Sequence, residues 1–198
     1  MAKIKLTKNE LKKQKDSLKM FQRYLPTLML KKQQLQAEIR LTELRIKELE
    51  DEKNRIDETF KSWIAVYGEK GIFTADILSI ENIRTDRGNI AGVAIPLFKG
   101  ADFRTAPYDL YSSPLWLDSA VERMKQVLLL DLEAQTLEEQ RSRLDHELRV
   151  TTQRVNLFEK IKIPETRENI KKIQVYLGDQ QTAAVVRGKI AKRGMESA

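Results

Sequence analysis

Apolar residues recur every seventh position from Leu11 through Leu18, Leu25, Ile39, Ile46, Phe60 and Tyr67, with Lys32 and Lys53 as the polar members of the column. A second column, three residues further on, holds Phe21, Leu28, Leu35, Leu49, Ile56 and Trp63, interrupted by Gln14 and Thr42. An apolar stripe this long leaves its surface in water unless a second helix covers it. Its 3.5-residue period predicts a left-handed supercoil. The first helix is expected to open at Thr7-Lys8-Asn9-Glu10, a capping box with Thr7 at N-cap and Glu10 at N3, stapled by Leu6 and Leu11. It is expected to run to Tyr67, where Gly68 supplies a stop. Pro26 removes one ladder bond inside it and predicts a kink near Gln22 to Tyr24.

The heptads vanish between Glu69 and Tyr111, where Gly71, Gly88, Gly92, Gly100, Pro96 and Pro107 follow in quick succession. Leu78 to Thr85 reads as a strand, Asp86-Arg87-Gly88-Asn89 as a turn, and Ile90 to Phe98 as the returning strand with Val93, Ile95 and Leu97 on one face. Gly92 is expected to mark a bulge and Pro96 an edge position. A lone hairpin is marginal, so it must lean on the helices or on a partner. Ser113-Pro114 opens a second long helix. Its seam runs Val127, Leu130, Ala134, Leu137, Leu144, Leu148, Val155 and Phe158, broken at Arg141 and Thr151. It resumes beyond Pro164 in a shifted register at Ile170, Ile173, Leu177 and Ala184, and the helix is expected to reach Ile190.

The predicted fold is mainly α: a long antiparallel two-helix coiled coil, with a small β-hairpin-containing segment at the end opposite the termini. Its stretches are 1–68, 69–112 and 113–198 of one elongated domain. If Tyr67 lies across from Asp118, Pro26 faces residue 159, close to Pro164, and both helices bend at one level.

Charge adds a feature that the pattern does not show. The two ends together carry +8 against a net of +7, so the residues between them are close to neutral. Residues 1–19 carry Lys3, Lys5, Lys8, Lys12, Lys13, Lys15 and Lys19 against Glu10 and Asp16, and the tail carries Arg187, Lys189, Lys192 and Arg193 against Glu196. The two basic ends meet at one tip in the expected hairpin, and they suit an acidic partner surface, nucleic acid or an anionic membrane. No run reaches the ~20 apolar residues of a membrane span. The first residues have no apolar core of signal-peptide length. The absence of cysteine excludes disulfides and thiolate metal sites.

No catalytic constellation emerges. His146 is the only histidine. A lone histidine between Asp145 and Glu147 is a solvated helix residue before it is a base or a ligand. Asp131, Glu133, Glu138 and Glu139 read as a solvated face rather than a carboxylate cluster. No phosphate-cradling loop is present. Lys5, Lys8, Lys12, Lys15 and Lys19 share a helix face, but no aromatic precedes Phe21 to stack on bases, which weighs against nucleic acid.

Three groups of residues match a known family. Thr7-Lys8, Glu10-Leu11, Arg23-Tyr24-Leu25-Pro26, Leu28, Lys31-Lys32 and Leu35 resemble the opening of the D subunit of the rotary V-type and A-type ATPases. Glu81-Asn82-Ile83 and Asn89-Ile90-Ala91-Gly92-Val93, with Ile95-Pro96 and Phe98, resemble that family's hairpin, which includes Asp86, Arg87, Gly88, Gly92 and Pro96. Gln153-Arg154-Val155-Asn156, Phe158-Glu159, Ile163-Pro164, Ile170 and Ile173 carry the strongest match. The resemblance implies a non-catalytic central rotor shaft with no cofactor, coupling ATP hydrolysis or synthesis to rotation and ion translocation. It implies a terminal end seated in the hexamer of A and B subunits through Lys3, Lys5, Lys8, Lys12, Lys15, Arg187, Lys189, Lys192 and Arg193. The other implied partners are the small F subunit and the funnel-shaped membrane-side subunit, on the cytoplasmic face and without membrane insertion. A coiled-coil scaffold without a motor role, and a basic coiled coil that binds nucleic acid, are the alternatives.

Overall fold

The computed structural model describes residues 4–61, 77–107 and 116–196. In chain order the elements are helix α1 (Lys8–Lys61), strands β1 (Leu78–Ile90) and β2 (Val93–Thr105), helix α2 (Leu117–Asn156), a π-helical turn (Leu157–Lys162) and helix α3 (Ile163–Glu196). The chain divides into two compact units, one of Met1–Lys32 with Val150–Ala198 and one of Gln33–Arg149. It is mainly helical with a two-stranded hairpin in the middle, as the heptads and turn residues predict.

The start of α1 is the expected one. Thr7 Oγ1 accepts the Glu10 amide at 3.3 Å, and the Leu11 amide bonds back to the Thr7 carbonyl at 3.0 Å. Every seam position from Leu11 to Ile56 is buried or half-buried, the polar members Gln14, Lys32, Thr42 and Lys53 included. Thr42 donates its hydroxyl to the Glu38 carbonyl at 2.9 Å, which removes the cost of its burial. Pro26 lies within α1 without ending it. The expected stop at Tyr67–Gly68, the seam members Trp63 and Tyr67, and the Ser113-Pro114 start lie outside the described residues, as does the side chain of Phe60.

In the unit Gln33–Arg149, Leu35 and Ile39 of α1, Ile95 of β2 and Leu144 of α2 form one core, flanked by Ile90, Ala91, Val93, Leu97 and Leu148. Leu35 and Leu144 are wholly buried. Each contributes roughly 1.5–3 kcal/mol by leaving water. The face Val93, Ile95, Leu97 is therefore the inward one, and the hairpin leans on the helices. Partner residues fall as α1 numbers rise, from Leu144 opposite Leu35 to Glu133 on Arg45 and Asp131 on Lys53, so α1 and α2 run antiparallel here. Ile77, Leu117 and Val121 make a second cluster with Trp116.

The hairpin turn departs from expectation. Asp86, Arg87 and Gly88 are strand residues, and the pairing runs from Leu78↔Thr105 to Ile90↔Val93. The turn is Ala91-Gly92, with φ of 50° and 83°. Positive φ at both central residues matches the right-handed twist of the strands, which a turn at Asp86–Asn89 would not have tied to the core register. The Asn89 side chain accepts the Gly92 amide at 3.0 Å. Gly88 serves close approach instead: a Cβ there would meet Leu97 at 3.0 Å and Ile95 at 3.2 Å. Gly92 marks no bulge; the register slips at Glu81 on β1 and at Lys99 on β2.

In the other unit, the Phe21 and Phe158 rings pack with centroids 5.1 Å apart. Leu6 lines a recess with Glu168, Lys171, Lys172 and Val175, so α1 and the second helix are antiparallel here too. The Tyr67–Asp118 register would have put Phe21 across from residue 164, six residues further along. Pro26 and Pro164 are therefore not level. Thr151, Val155, Ile163, Thr166 and Ile173 are buried.

Candidate functional site

Two groups of basic residues and the ends that carry them are the site the sequence points to. Lys5, Lys8, Lys12 and Lys15 are all exposed at the start of α1, and Lys3 lies outside the described residues. Arg187, Lys189, Lys192 and Arg193 are exposed on α3. The structure does not bring these groups level. Leu6 shares a recess with the stretch from Glu168 to Val175, and Arg187 stands twelve residues beyond Val175, which is ~18 Å of helix. Lys171 and Lys172 line the recess beside Leu6, and they escape notice in the sequence because they sit in a charged run of ordinary appearance.

The reason for the offset is the length of α3. It continues to Glu196, past the expected Ile190. From Gly178 to Met195 every residue is exposed. A Cβ at Gly178, Gly188 or Gly194 would meet nothing within 4 Å. Val185, Val186, Ile190 and Met195 are 59, 49, 67 and 83% exposed. Three glycines, each costing roughly 1 kcal/mol relative to alanine, make this a weak helix to stand in water. Its exposed apolar side chains are on several faces rather than one.

The remaining predicted positions serve other ends. Arg154 and Asn156 are exposed beside buried Val155. Pro96 sits in β2, where its carbonyl accepts the Gln140 side-chain amide at 2.5 Å, and Arg143 donates to the Ala94 carbonyl at 3.2 Å. These two α2 residues, which no sequence pattern singles out, tie the hairpin edge to the helix.

The four carboxylates that could have formed an acidic cluster are each matched to a cation. Asp131 accepts Lys53 Nζ at 2.7 Å, Glu133 accepts Arg45 at 3.0 Å, Glu138 pairs with Arg141 at 2.7 Å and Glu139 with Arg143 at 2.6 Å. The hydrogen bond to Asp131 raises Lys53 above its ordinary pKa, and the hydrogen bond to Glu133, with help from Glu48, raises Arg45. Lys53, a polar break in the seam, is thus a cross-helix register contact. Gln14 bonds to Glu10 on its own helix at 2.8 Å. His146 is exposed. Among the described residues no group of three or more His, Cys, Asp or Glu could hold a metal ion, and no helix is long and apolar enough to cross a membrane.

Comparison with known proteins finds relatives that cover nearly the whole chain. A family model for the D subunit of ATP synthase matches residues 10–193. The chain is 52% identical to the V-type ATP synthase D subunit of Borreliella burgdorferi, over 98% of this chain and 96% of that one. It is 37% identical to the protein of that name from Chlamydia trachomatis serovar L2 (98% and 96% covered) and 34% identical to that from Chlamydia pneumoniae (98% and 93%).

Proposed function

The chain belongs to the ATP synthase D-subunit family, and on that premise we propose that it is the central rotor shaft of a V-type ATP synthase. Its partners are then the hexamer of A and B subunits, the small F subunit and the funnel-shaped subunit on the membrane ring, at the cytoplasmic face. The chain itself does no chemistry. It converts nucleotide turnover in the hexamer into rotation and ion translocation, or the reverse.

The observation that carries this reading is the exposed length of α3 from Gly178 to Met195. Elsewhere the helices bury a continuous seam; in this segment every residue is exposed, although it holds two valines, an isoleucine and a methionine. A socket that surrounds it would supply the missing burial. Exposed lysines and arginines on both ends suit acidic walls, and charge attraction of this kind is tolerant of angle, so the helix can turn without one locked pose. Torque requires that the two helices not slide. Buried seam residues and the Arg45–Glu133 and Lys53–Asp131 pairs oppose sliding.

Co-elution on a sizing column at moderate salt, with the A–B hexamer and the F subunit, tests the reading. The full chain is expected to travel with the hexamer, and removal of residues 1–19 and 187–198 together is expected to abolish this. A full chain that elutes alone overturns the proposal. Binding that leaves the hexamer's ATPase rate unchanged, with or without the ends, makes the chain a scaffold instead.

A further inference from the structure

The seam of the second long helix slips by one residue, and the slip has a structural cause. Its positions run Leu144, Leu148, Thr151, Val155 and Phe158, all buried or half-buried. Continued at that rhythm, the seam would next fall on residues 162, 165, 169 and 172. The buried residues are instead Ile163, Thr166 and Ile173, with Ile170 half-buried, each one place later. Between the two runs lies the π-turn Leu157–Lys162, closed by a bond from the Ile163 amide to the Phe158 carbonyl five residues back. In a continuous α-helix one added residue would carry everything after it about 100° off the seam. The wider π-turn takes up that residue and so keeps Ile163 and Ile173 on the seam.

The turn is poorly held for its position. None of its six residues is buried, and Leu157 and Ile161 are 40 and 54% exposed. Pro164 has no amide to give the Lys160 carbonyl. Both flanks are anchored, by Val155 on one side and by Ile163 and Ile173 on the other, while within the turn the Phe21–Phe158 ring contact holds only its first residues. Thr166 donates its hydroxyl to the Lys162 carbonyl at 2.6 Å, which secures only the far end. A weak segment between two packed ones concentrates any twist imposed on the helix.

We propose that Leu157–Lys162 is a twist joint: a one-residue insertion in the seam at which the second helix opens first and rotates about its own axis. The joint goes beyond the shaft role and is tested on the full chain alone. Hydrogen exchange is expected to be about tenfold faster for the amides of residues 160–163 than for those of 151–156 and 168–174. Deleting Lys160, which is exposed, should join the two seams into one uninterrupted α-helix. Its melting temperature should equal or exceed that of the parent, and the fast amides should become protected. Deleting the exposed Lys171 instead moves Ile173 and Leu177 off the seam with no compensation, and should lower melting by about 5 °C or more. Uniform exchange across 151–174, or a Lys160 deletion as damaging as the Lys171 deletion, overturns the joint.

Discussion

Ala91 holds a backbone conformation that alanine seldom adopts. At φ 50° its Cβ crowds the following carbonyl, a penalty of about 1–2 kcal/mol that the packed hairpin outweighs. Asparagine tolerates that region, so Ala91→Asn is expected to raise the melting temperature by a few degrees, measured by circular dichroism. Gly92→Ala adds a second such penalty and should lower it by a similar amount. Lys53 offers a test by pH. Its folded pKa is raised above the ordinary value of 10.5 by Asp131, so its contribution is complete below that value and is lost as pH climbs through the folded pKa. The lysine is 38% and the aspartate 46% exposed, so screening keeps the coupling small. A double-mutant cycle with Lys53→Met and Asp131→Asn should give under about 1 kcal/mol, steady from about pH 7 to 10 and falling at higher pH.

The elements differ in how far sequence determines them. The seam of α1 is legible residue by residue, because a buried stripe in a helix has one period and no competing signal. The hairpin is legible as a hairpin, but its turn is not. Asp86-Arg87-Gly88-Asn89 has stronger turn chemistry than Ala91-Gly92, yet Ile90, Ile95 and Leu97 must reach Leu35 and Leu144, and that long-range contact fixes the register. Gly88 looks like a turn residue and is a gap left for Ile95 and Leu97. The π-turn leaves a visible trace, the phase step after Phe158, but the proline draws attention six residues further on. Gln140 leaves no trace at all, since an isolated glutamine in a charged helix predicts nothing. It is buried and donates to the Pro96 carbonyl. Gln140→Ala should cost about 1–2 kcal/mol in urea unfolding, and Leu144→Ala, which empties the core beneath the hairpin, about 2–5 kcal/mol.

For the whole molecule, charge and period suggest a basic-ended helical pair, and three motifs in order suggest the family. The location of the basic residues is the weaker part. Sequence numbering treats the ends as equivalent, whereas the recess that Leu6 shares with Val175 sets the start of α1 beside the first part of α3, and Gly178 to Met195 lie exposed beyond it. That exposed segment is the part expected to lose function when cut. Removal of residues 178–198 should leave the melting temperature within a few degrees of the parent, since every described side chain lost is exposed, while abolishing co-elution with the A–B hexamer.

Rotation itself is the most direct test. The chain has no cysteine, so Arg87→Cys, on the exposed face of β1, provides a unique attachment point. A bead fixed there, on an immobilised A–B hexamer assembled with this chain and supplied with ATP, should turn continuously in one direction and stop when ATP is withdrawn. A bead that stays fixed while the hexamer hydrolyses ATP at an undiminished rate would contradict the shaft and leave a bound but passive component.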